Sequence, residues 1–177
     1  AISLNPDYAE AYNNLGNTLN DLGRFEEAIE LINKSILLKP NYFLAFNNLG
    51  IVFAAQGNLD EAINAFQKAL SIKPDYADAY NNIGNTLKDQ AKPKDAIDAF
   101  KKAILINPNY TVAYNNLGNV LKDQGKFQDA IDVFNKALLI NPNYAEAYNS
   151  KGIALRYQSK FHEAVDAFKK AILIKTN

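Results

Sequence analysis

The sequence predicts an all-α fold made of consecutive helical hairpins, and three observations lead to that class. A proline recurs every 34 residues, at positions 6, 40, 74, 108 and 142. Between the prolines, apolar residues fall three and four apart, as at Tyr12, Leu15, Gly16 and Leu19, which is the period of an amphipathic helix. A glycine such as Gly23 divides most units into two helical stretches. Repetition at this period predicts an α-solenoid of stacked helix pairs.

The predicted repeats form a single array over residues 1–177. Their boundaries are 9–42, 43–76, 77–110, 111–144 and a shorter 145–177. Residues 1–8, AISLNPDY, match the end of a unit, as ALSIKPDY at 69–76 does. The chain is therefore expected to begin inside a repeat, with half a helix before the first complete unit.

Each unit shows the same order of signals for helix ends. In the first unit, Asp7 is the expected N-cap of the first helix, and the corresponding residues later are Asn41, Asp75, Asn109 and Asn143. Gly23 is expected to end the first helix in the left-handed region. Glu26 and Glu27 suit the positive start of the second helix, and Pro40 ends it.

Two units depart from this pattern. The third has Ala91 at the glycine position and Pro93 where other units have phenylalanine or leucine. Pro93 can begin the second helix, but an apolar contact is lost, so a locally looser turn is expected there. The fifth has Lys151 in place of the core leucine and Ser159 in place of the glycine. The fifth unit is therefore expected either to approach the end of the array or to contact something different.

Composition excludes several classes of function. The 177 residues contain 19 basic and 19 acidic side chains, so nothing in the charge predicts nucleic-acid binding. The chain has no cysteine, which excludes disulfides and thiolate chemistry. It also has no methionine, so the sequence is expected to be a piece of a longer protein or a processed form. No apolar run approaches the ~20 residues of a membrane span. Without a signal peptide, the compartment is unknown and the cytoplasm is favoured.

The 34-residue unit resembles the tetratricopeptide repeat. Tyrosine, leucine-glycine, leucine, glycine, alanine, phenylalanine and proline recur at its fixed offsets through nearly the whole chain. The resemblance implies a right-handed superhelix of antiparallel helix pairs. It also implies that the first helix of each pair lines a concave groove, through which members of this family commonly bind other proteins.

Asparagines mark the side of the first helices that faces away from the predicted core. One recurs every 34 residues and forms what we call the asparagine row, Asn14, Asn48, Asn82 and Asn116. Ser150 breaks the row. Further asparagines lie on the same side at helical spacing: Asn13, Asn17, Asn47, Asn81, Asn85, Asn115 and Asn119.

Amide side chains offer both donors and acceptors, so the row can pair with the backbone of an extended peptide. In this it resembles the repeats of O-linked N-acetylglucosamine transferases, whose asparagine ladder binds peptide backbone. The alternative is that the asparagines only solvate a surface face. Replacing the row by alanine is expected to weaken binding and leave the melting temperature almost unchanged, because the amides are expected to be free.

The second unit carries an apolar stretch beside the asparagines, formed by Leu44, Ile51, Ala54 and Ala55. It predicts a pocket for a partner side chain. The alternatives are an isolated apolar surface cluster or a contact with another copy.

Signals for catalysis and cofactors are weak. His162 is the only histidine, and the carboxylates do not cluster, so no catalytic residue, metal or cofactor is predicted. Three hypotheses remain: a non-catalytic module that binds an extended peptide, the substrate-docking region of a larger enzyme such as a glycosyltransferase, and a scaffold that binds copies of itself. The expected partner is an unidentified protein or peptide, and neither nucleic-acid binding nor membrane insertion is expected. A homo-oligomer that forms through the uncapped ends of the array is the alternative.

Overall fold

The computed structural model of this chain describes residues 8–176, and ten α-helices account for nearly all of them, without a strand in that range. The first helices of the five repeats are Ala9–Asp21 (α1), Phe43–Ala55 (α3), Ala77–Asp89 (α5), Thr111–Asp123 (α7) and Ala145–Tyr157 (α9). The second helices are Phe25–Leu38 (α2), Leu59–Ile72 (α4), Pro93–Ile106 (α6), Phe127–Ile140 (α8) and Phe161–Thr176 (α10). The predicted all-α solenoid of helix pairs is confirmed.

The helices divide into two compact units, residues 1–90 and 91–177. In the first unit, α1 packs against α2 and α3 against α4, while α2 and α4 also contact the first helix of the repeat that follows each of them. Its core is built around Ala28, Ile32, Ala45 and Val52, all of which are buried. The prediction that residues 1–8 end a preceding repeat concerns residues that lie, except for Tyr8, outside the described part of the chain.

The second unit repeats this packing with α6 to α10. Helix α7 packs against α8 and α9 against α10, and α6 and α8 each contact the next first helix. Ala130, Phe134, Ala154 and Leu155 form its main buried cluster. None of the helices within residues 8–176 has the length and apolar character needed to cross a bilayer.

The two helices of a repeat approach each other at a glycine. A Cβ atom on Gly118 of α7 would lie 2.5 Å from Cε1 of Phe134 on α8, and one on Gly50 would lie equally close to Phe66. Both phenylalanines are fully buried. A side chain at the glycine position would therefore push the paired helices apart.

The turn between paired helices needs a left-handed residue, as the sequence predicts. Gly23, Gly57 and Gly125 have φ values of 72°, 81° and 75°. Ala91 and Ser159 adopt the same region, with φ of 56° and 61°, although neither is a glycine. Pro93 is the first residue of α6, as the sequence predicts.

Two local predictions are wrong. The predicted N-caps Asn41, Asp75, Asn109 and Asn143 each lie one residue too early, because a tyrosine occupies the N-cap position and makes no side-chain capping bond. The side chains of Asn107 and Asn141 instead accept hydrogen bonds from the backbone N–H groups of Asn109 and Asn143, two residues further along the chain. The predicted N-cap Asp7 lies outside the described residues. Leu15, predicted to be in the core, is 41% exposed, since the described residues contain no helix before α1 to cover it.

Candidate functional site

The asparagines of the first helices occupy two different environments. The members at the first position of each Asn-Asn pair are buried, with exposed fractions of 3% for Asn13, 4% for Asn47, 5% for Asn81 and 7% for Asn115. The prediction that all these side chains lie on an open face is therefore wrong for these four. The second member is exposed at Asn14 and half-buried at Asn48, Asn82 and Asn116.

Hydrogen bonds between neighbouring repeats explain this burial. Nδ2 of Asn48 donates to Oδ1 of Asn13 over 3.0 Å, and Nδ2 of Asn82 donates to Oδ1 of Asn47 over 3.1 Å. The second asparagine of one repeat thus supplies the donor that the buried first asparagine of the preceding repeat requires. The premise that the amides of the row are free is wrong for Asn48 and Asn82.

Part of each bridging amide is still unused. A primary amide has two N–H donors and one carbonyl acceptor, and each bridge uses one N–H. Oδ1 of Asn48 and Oδ1 of Asn82 accept no hydrogen bond from the described residues. Both side chains are half-buried, so these groups can still reach a ligand. The remaining predicted asparagines Asn17, Asn85 and Asn119 are also half-buried, one turn further along their helices.

The predicted apolar stretch lies on α3. Leu44, Ile51 and Ala54 are half-buried and Ala55 is exposed. They extend from the first turn of the helix to its last, which is about 16 Å at 1.5 Å per residue. None of the four lines the cavity of about 540 Å³ that α3 and α4 enclose, which is bordered by Phe46, Leu49 and Phe53 among others.

A larger cavity, of about 770 Å³, lies in the second unit between α7, α9 and α10. Two predicted residues, Asn115 and Asn119, line it from α7. Helix α9 contributes Asn149 and Ser150, and the apolar wall comes from α10, through Phe168, Ala171 and Ile172.

An ion pair stands at the border of this cavity. Nζ of Lys175 donates to Oε1 of Glu146 over 2.7 Å. This hydrogen bond holds the pKa of Glu146 below its ordinary value and raises the pKa of Lys175. Both charges that line the cavity are therefore already paired with each other.

Asn115 lines this cavity, and its buried Oδ1 receives no hydrogen bond from a donor within residues 8–176. The corresponding acceptors on Asn13 and Asn47 receive an N–H from the asparagine of the next repeat. In the fifth repeat that position is Ser150, whose side chain lacks the amide. The sequence shows that Ser150 breaks the row, but the unpaired acceptor follows only from the contact between repeats.

The contribution of α10 was not predicted, although the sequence contains a signal for it. Residues 166–174 and 98–106 are both DAFKKAILI. In the earlier copy, on α6, Phe100 and Ala103 are fully buried. In the later copy Phe168 is half-buried and Ile172 is 63% exposed. Phe168 is thus less buried than its counterpart Phe100, and Ile172 is more exposed than its half-buried counterpart Ile104.

Residues 8–176 contain no group of three or more histidine and acidic side chains that could hold a metal ion. His162 is exposed on the first turn of α10. These observations provide no starting point for a metal-dependent or histidine-dependent reaction in this range.

Solved structures show where this architecture occurs elsewhere. MamA is 30% identical to this chain, with a TM-score of 0.79 over 91% of this chain and 94% of MamA. YrrB, described as a tetratricopeptide repeat protein with an unusual peptide-binding site, is 26% identical, with a TM-score of 0.70 over 100% of this chain and 91% of its own. The Pseudomonas aeruginosa protein pilF shares the fold, with 23% identity and a TM-score of 0.85 over 93% of this chain and 75% of pilF.

Family models of the tetratricopeptide repeat match residues 7–75, 42–106, 111–144 and 133–166. No curated protein sequence gives a significant match. The family matches cover most of the chain, and the match to residues 111–144 coincides with the helix pair α7 and α8. The chain belongs to the tetratricopeptide repeat family.

Proposed function

We propose that this chain is a protein-interaction module that binds an extended peptide segment through the asparagine row. The observation that carries the proposal is the geometry of Asn48 and Asn82. Each amide is held in place by its bridge to the preceding repeat, and each keeps Oδ1 and one N–H for a ligand. These are the two groups needed to pair with a backbone N–H and a backbone carbonyl.

Fixing the amides in advance favours binding. A free asparagine side chain loses rotamer freedom when a ligand immobilises it, whereas one that is already held by a hydrogen bond loses less. The peptide would contribute only its backbone N–H and carbonyl groups to these hydrogen bonds. The row therefore recognises an extended conformation without requiring a particular sequence. The peptide-binding site named for YrrB, which is 26% identical, is consistent with this function.

The experiment begins with a display library of unstructured twelve-residue peptides selected on the purified chain. The affinity of the most enriched peptide is then measured for the wild type and for a variant with alanine at Asn14, Asn48, Asn82 and Asn116. A net hydrogen bond contributes ~0.5–1.5 kcal/mol, so losing several should weaken binding by about ten- to several-hundred-fold. A double variant with alanine at Asn33 and Asn135, exposed asparagines of second helices, is the matched control.

The quadruple variant is also expected to melt at a lower temperature, because removing the donors on Asn48 and Asn82 leaves buried acceptors on Asn13 and Asn47 unpaired. Binding must therefore be measured at a temperature where circular dichroism shows both proteins to be folded. Equal affinities of the folded quadruple variant and the wild type would reject the proposed function.

A further inference from the structure

The second helices of the second unit carry a row of exposed leucines. Leu105, Leu139 and Leu173 occupy the same position of α6, α8 and α10, 34 residues apart, and they are 81%, 84% and 61% exposed. We call these three residues the leucine row. Single exposed leucines are ordinary on a protein surface, whereas exposed apolar side chains that recur on neighbouring repeats indicate a surface for contact.

The exposure of the leucine row does not depend on where the sequence ends. Leu105 and Leu139 are exposed although α7 and α9, the first helices of the following repeats, already pack on α6 and α8. A further repeat is therefore not expected to cover Leu173. Packing does not require leucine at this position either, because the second repeat has the exposed Ser71 there and its helix α4 has the same 14 residues as α6 and α8.

Lysines accompany each leucine of the row. Residues three and four positions earlier lie one turn away on the same face of a helix. The exposed lysines at these places are Lys101 and Lys102, then Lys136, then Lys169 and Lys170. The nearest acidic residue before each leucine on its own helix is seven positions away, which is about 10 Å along the axis. The chain has no net charge, but the helix segments around the leucine row are basic.

Exposed leucines beside exposed lysines are complementary to an anionic lipid surface. The apolar side chains of a peripheral protein enter the boundary between headgroups and acyl chains, and anionic headgroups attract lysines close to the surface. Lys101, Lys136 and Lys169 form no ion pair with another residue in the range 8–176. Their charges are therefore available to lipid phosphate groups.

The arrangement of the helices favours a bilayer over a folded partner. Within residues 91–176 the second helices contact first helices and not each other, so the leucines project from three separate helices. A folded partner would need preformed pockets at the spacing of these helices, whereas a fluid bilayer accepts apolar side chains at any spacing.

We propose that the leucine row and its lysines form a surface for peripheral binding to anionic lipid bilayers. The leucines enter the boundary region and the lysines contact the headgroups, and no helix crosses the bilayer. This proposal goes beyond the proposed peptide binding and is independent of it, because the asparagine row lies on first helices and shares no residue with the leucine row.

Cosedimentation of the whole chain with vesicles tests the leucines. Wild type should bind vesicles of phosphatidylcholine with about 30% phosphatidylglycerol at least about tenfold more strongly than vesicles of phosphatidylcholine alone. The double variant Leu105→Ser and Leu139→Ser should lose about tenfold in binding to the anionic vesicles. The matched control, Leu22→Ser with Leu37→Ser, removes two leucines of the first unit that are 67% and 74% exposed. It should bind within about twofold of the wild type, because both changes lie outside the row.

A second pair of variants tests the lysines. Lys101→Gln with Lys136→Gln should weaken binding to the anionic vesicles about fivefold or more and leave binding to the neutral vesicles unchanged. The matched control, Lys34→Gln with Lys68→Gln, removes the same charge from exposed positions of α2 and α4 in the first unit. Equal losses for the two pairs would show that only the net charge of the chain matters and would overturn the proposal.

The remaining outcomes separate the alternatives. Wild type that does not prefer anionic vesicles, or equal losses for the two pairs of leucine variants, would overturn the proposal. So would a helical peptide of leucine and glutamate that binds the leucine row when vesicles do not, because the partner would then be an acidic protein helix. If Leu105→Ser with Leu139→Ser keeps full vesicle binding but converts a dimer to a monomer in sedimentation velocity, the row is a contact between copies.

The proposed peptide binding can fail without affecting this inference. The variant with alanine at Asn14, Asn48, Asn82 and Asn116 should bind anionic vesicles as the wild type does, whatever its affinity for peptides. Loss of vesicle binding in this variant, measured where circular dichroism shows it to be folded, would contradict a surface confined to the second helices.

Discussion

At the scale of single residues, hydrogen bonds between repeats explain why the first helices of the first unit carry Asn13, Asn47, Asn48 and Asn82. An asparagine costs up to about 0.7 kcal/mol of helix propensity relative to alanine. The bridge from Asn48 to Asn13, or from Asn82 to Asn47, contributes a comparable ~0.5–1.5 kcal/mol. Cohesion between repeats therefore suffices to explain these pairs. The proposed peptide binding instead uses the donor and acceptor groups that the bridges leave unused.

Lys151 is the residue whose replacement is expected to stabilise the protein. It is half-buried at a position where Leu117 and Leu49 are 5% and 9% exposed. Burial, and then the charge of Lys170, lower the pKa of Lys151 below its ordinary value of 10.5. Lys151→Leu should raise the free energy of unfolding by about 1 kcal/mol at neutral pH, measured by urea denaturation.

The pH dependence of this gain follows from the direction of the pKa shift. Between the lowered folded pKa and 10.5 the unfolded state binds more protons at Lys151, so the stability of the wild type rises with pH in that window. The advantage of the leucine variant should therefore shrink as the pH rises toward 10.5. A constant difference between the two proteins from neutral to alkaline pH would contradict a buried charge. Lys170→Gln, which removes the neighbouring charge together with its contact over the ring of Tyr148, is the control.

At the scale of helices, the distance between α7 and α8 depends on Gly118. Because a Cβ atom there would lie 2.5 Å from the buried ring of Phe134, Gly118→Ala should destabilise by about 1–3 kcal/mol through overpacking. The better helix propensity of alanine returns up to ~1 kcal/mol, so a net loss of about 1–2 kcal/mol is expected in urea denaturation.

A double-mutant cycle identifies the cause of this loss. Phe134→Leu alone should destabilise by leaving space in the core. In the double variant with Gly118→Ala, the smaller side chain makes room for the new methyl group, and the two losses should be less than additive. Strict additivity would mean that the close approach of Gly118 to Phe134 does not limit the packing of α7 on α8.

At the scale of the whole molecule, the sequence predicts the fold much better than the site. The 34-residue period of proline and the recurring glycines determine the helix pairs, because each local signal is repeated in every unit. The pairing of Asn48 with Asn13 could not be predicted, since residues 35 apart meet only when stacked repeats adopt a particular register. The same limit applies to the cavity beside Asn115, whose wall comes from three helices.

The charge distribution of the whole chain predicts how binding responds to salt. The 19 basic and 19 acidic side chains give no net charge, and the proposed peptide contacts are neutral amides. Two lysines of the first helices, Lys88 of α5 and Lys122 of α7, each pair with the aspartate that follows, at 3.7 Å and 2.6 Å. Exposed charges are screened within ~10 Å at 0.1 M salt, so only a site built on charge would weaken strongly as salt is added.

We therefore expect the affinity for a neutral library peptide to change less than about twofold between about 50 and 500 mM sodium chloride, because screening acts on charges and not on amide hydrogen bonds. Isothermal titration calorimetry over this range is the measurement. A binder that recognises a terminal carboxylate through lysine would lose affinity as salt rises. To separate these two modes of binding, the affinity of each peptide is measured with a free and with an amidated C-terminus. A tenfold loss of affinity at high salt that affects only the peptide with the free carboxylate would reject backbone recognition by the asparagine row.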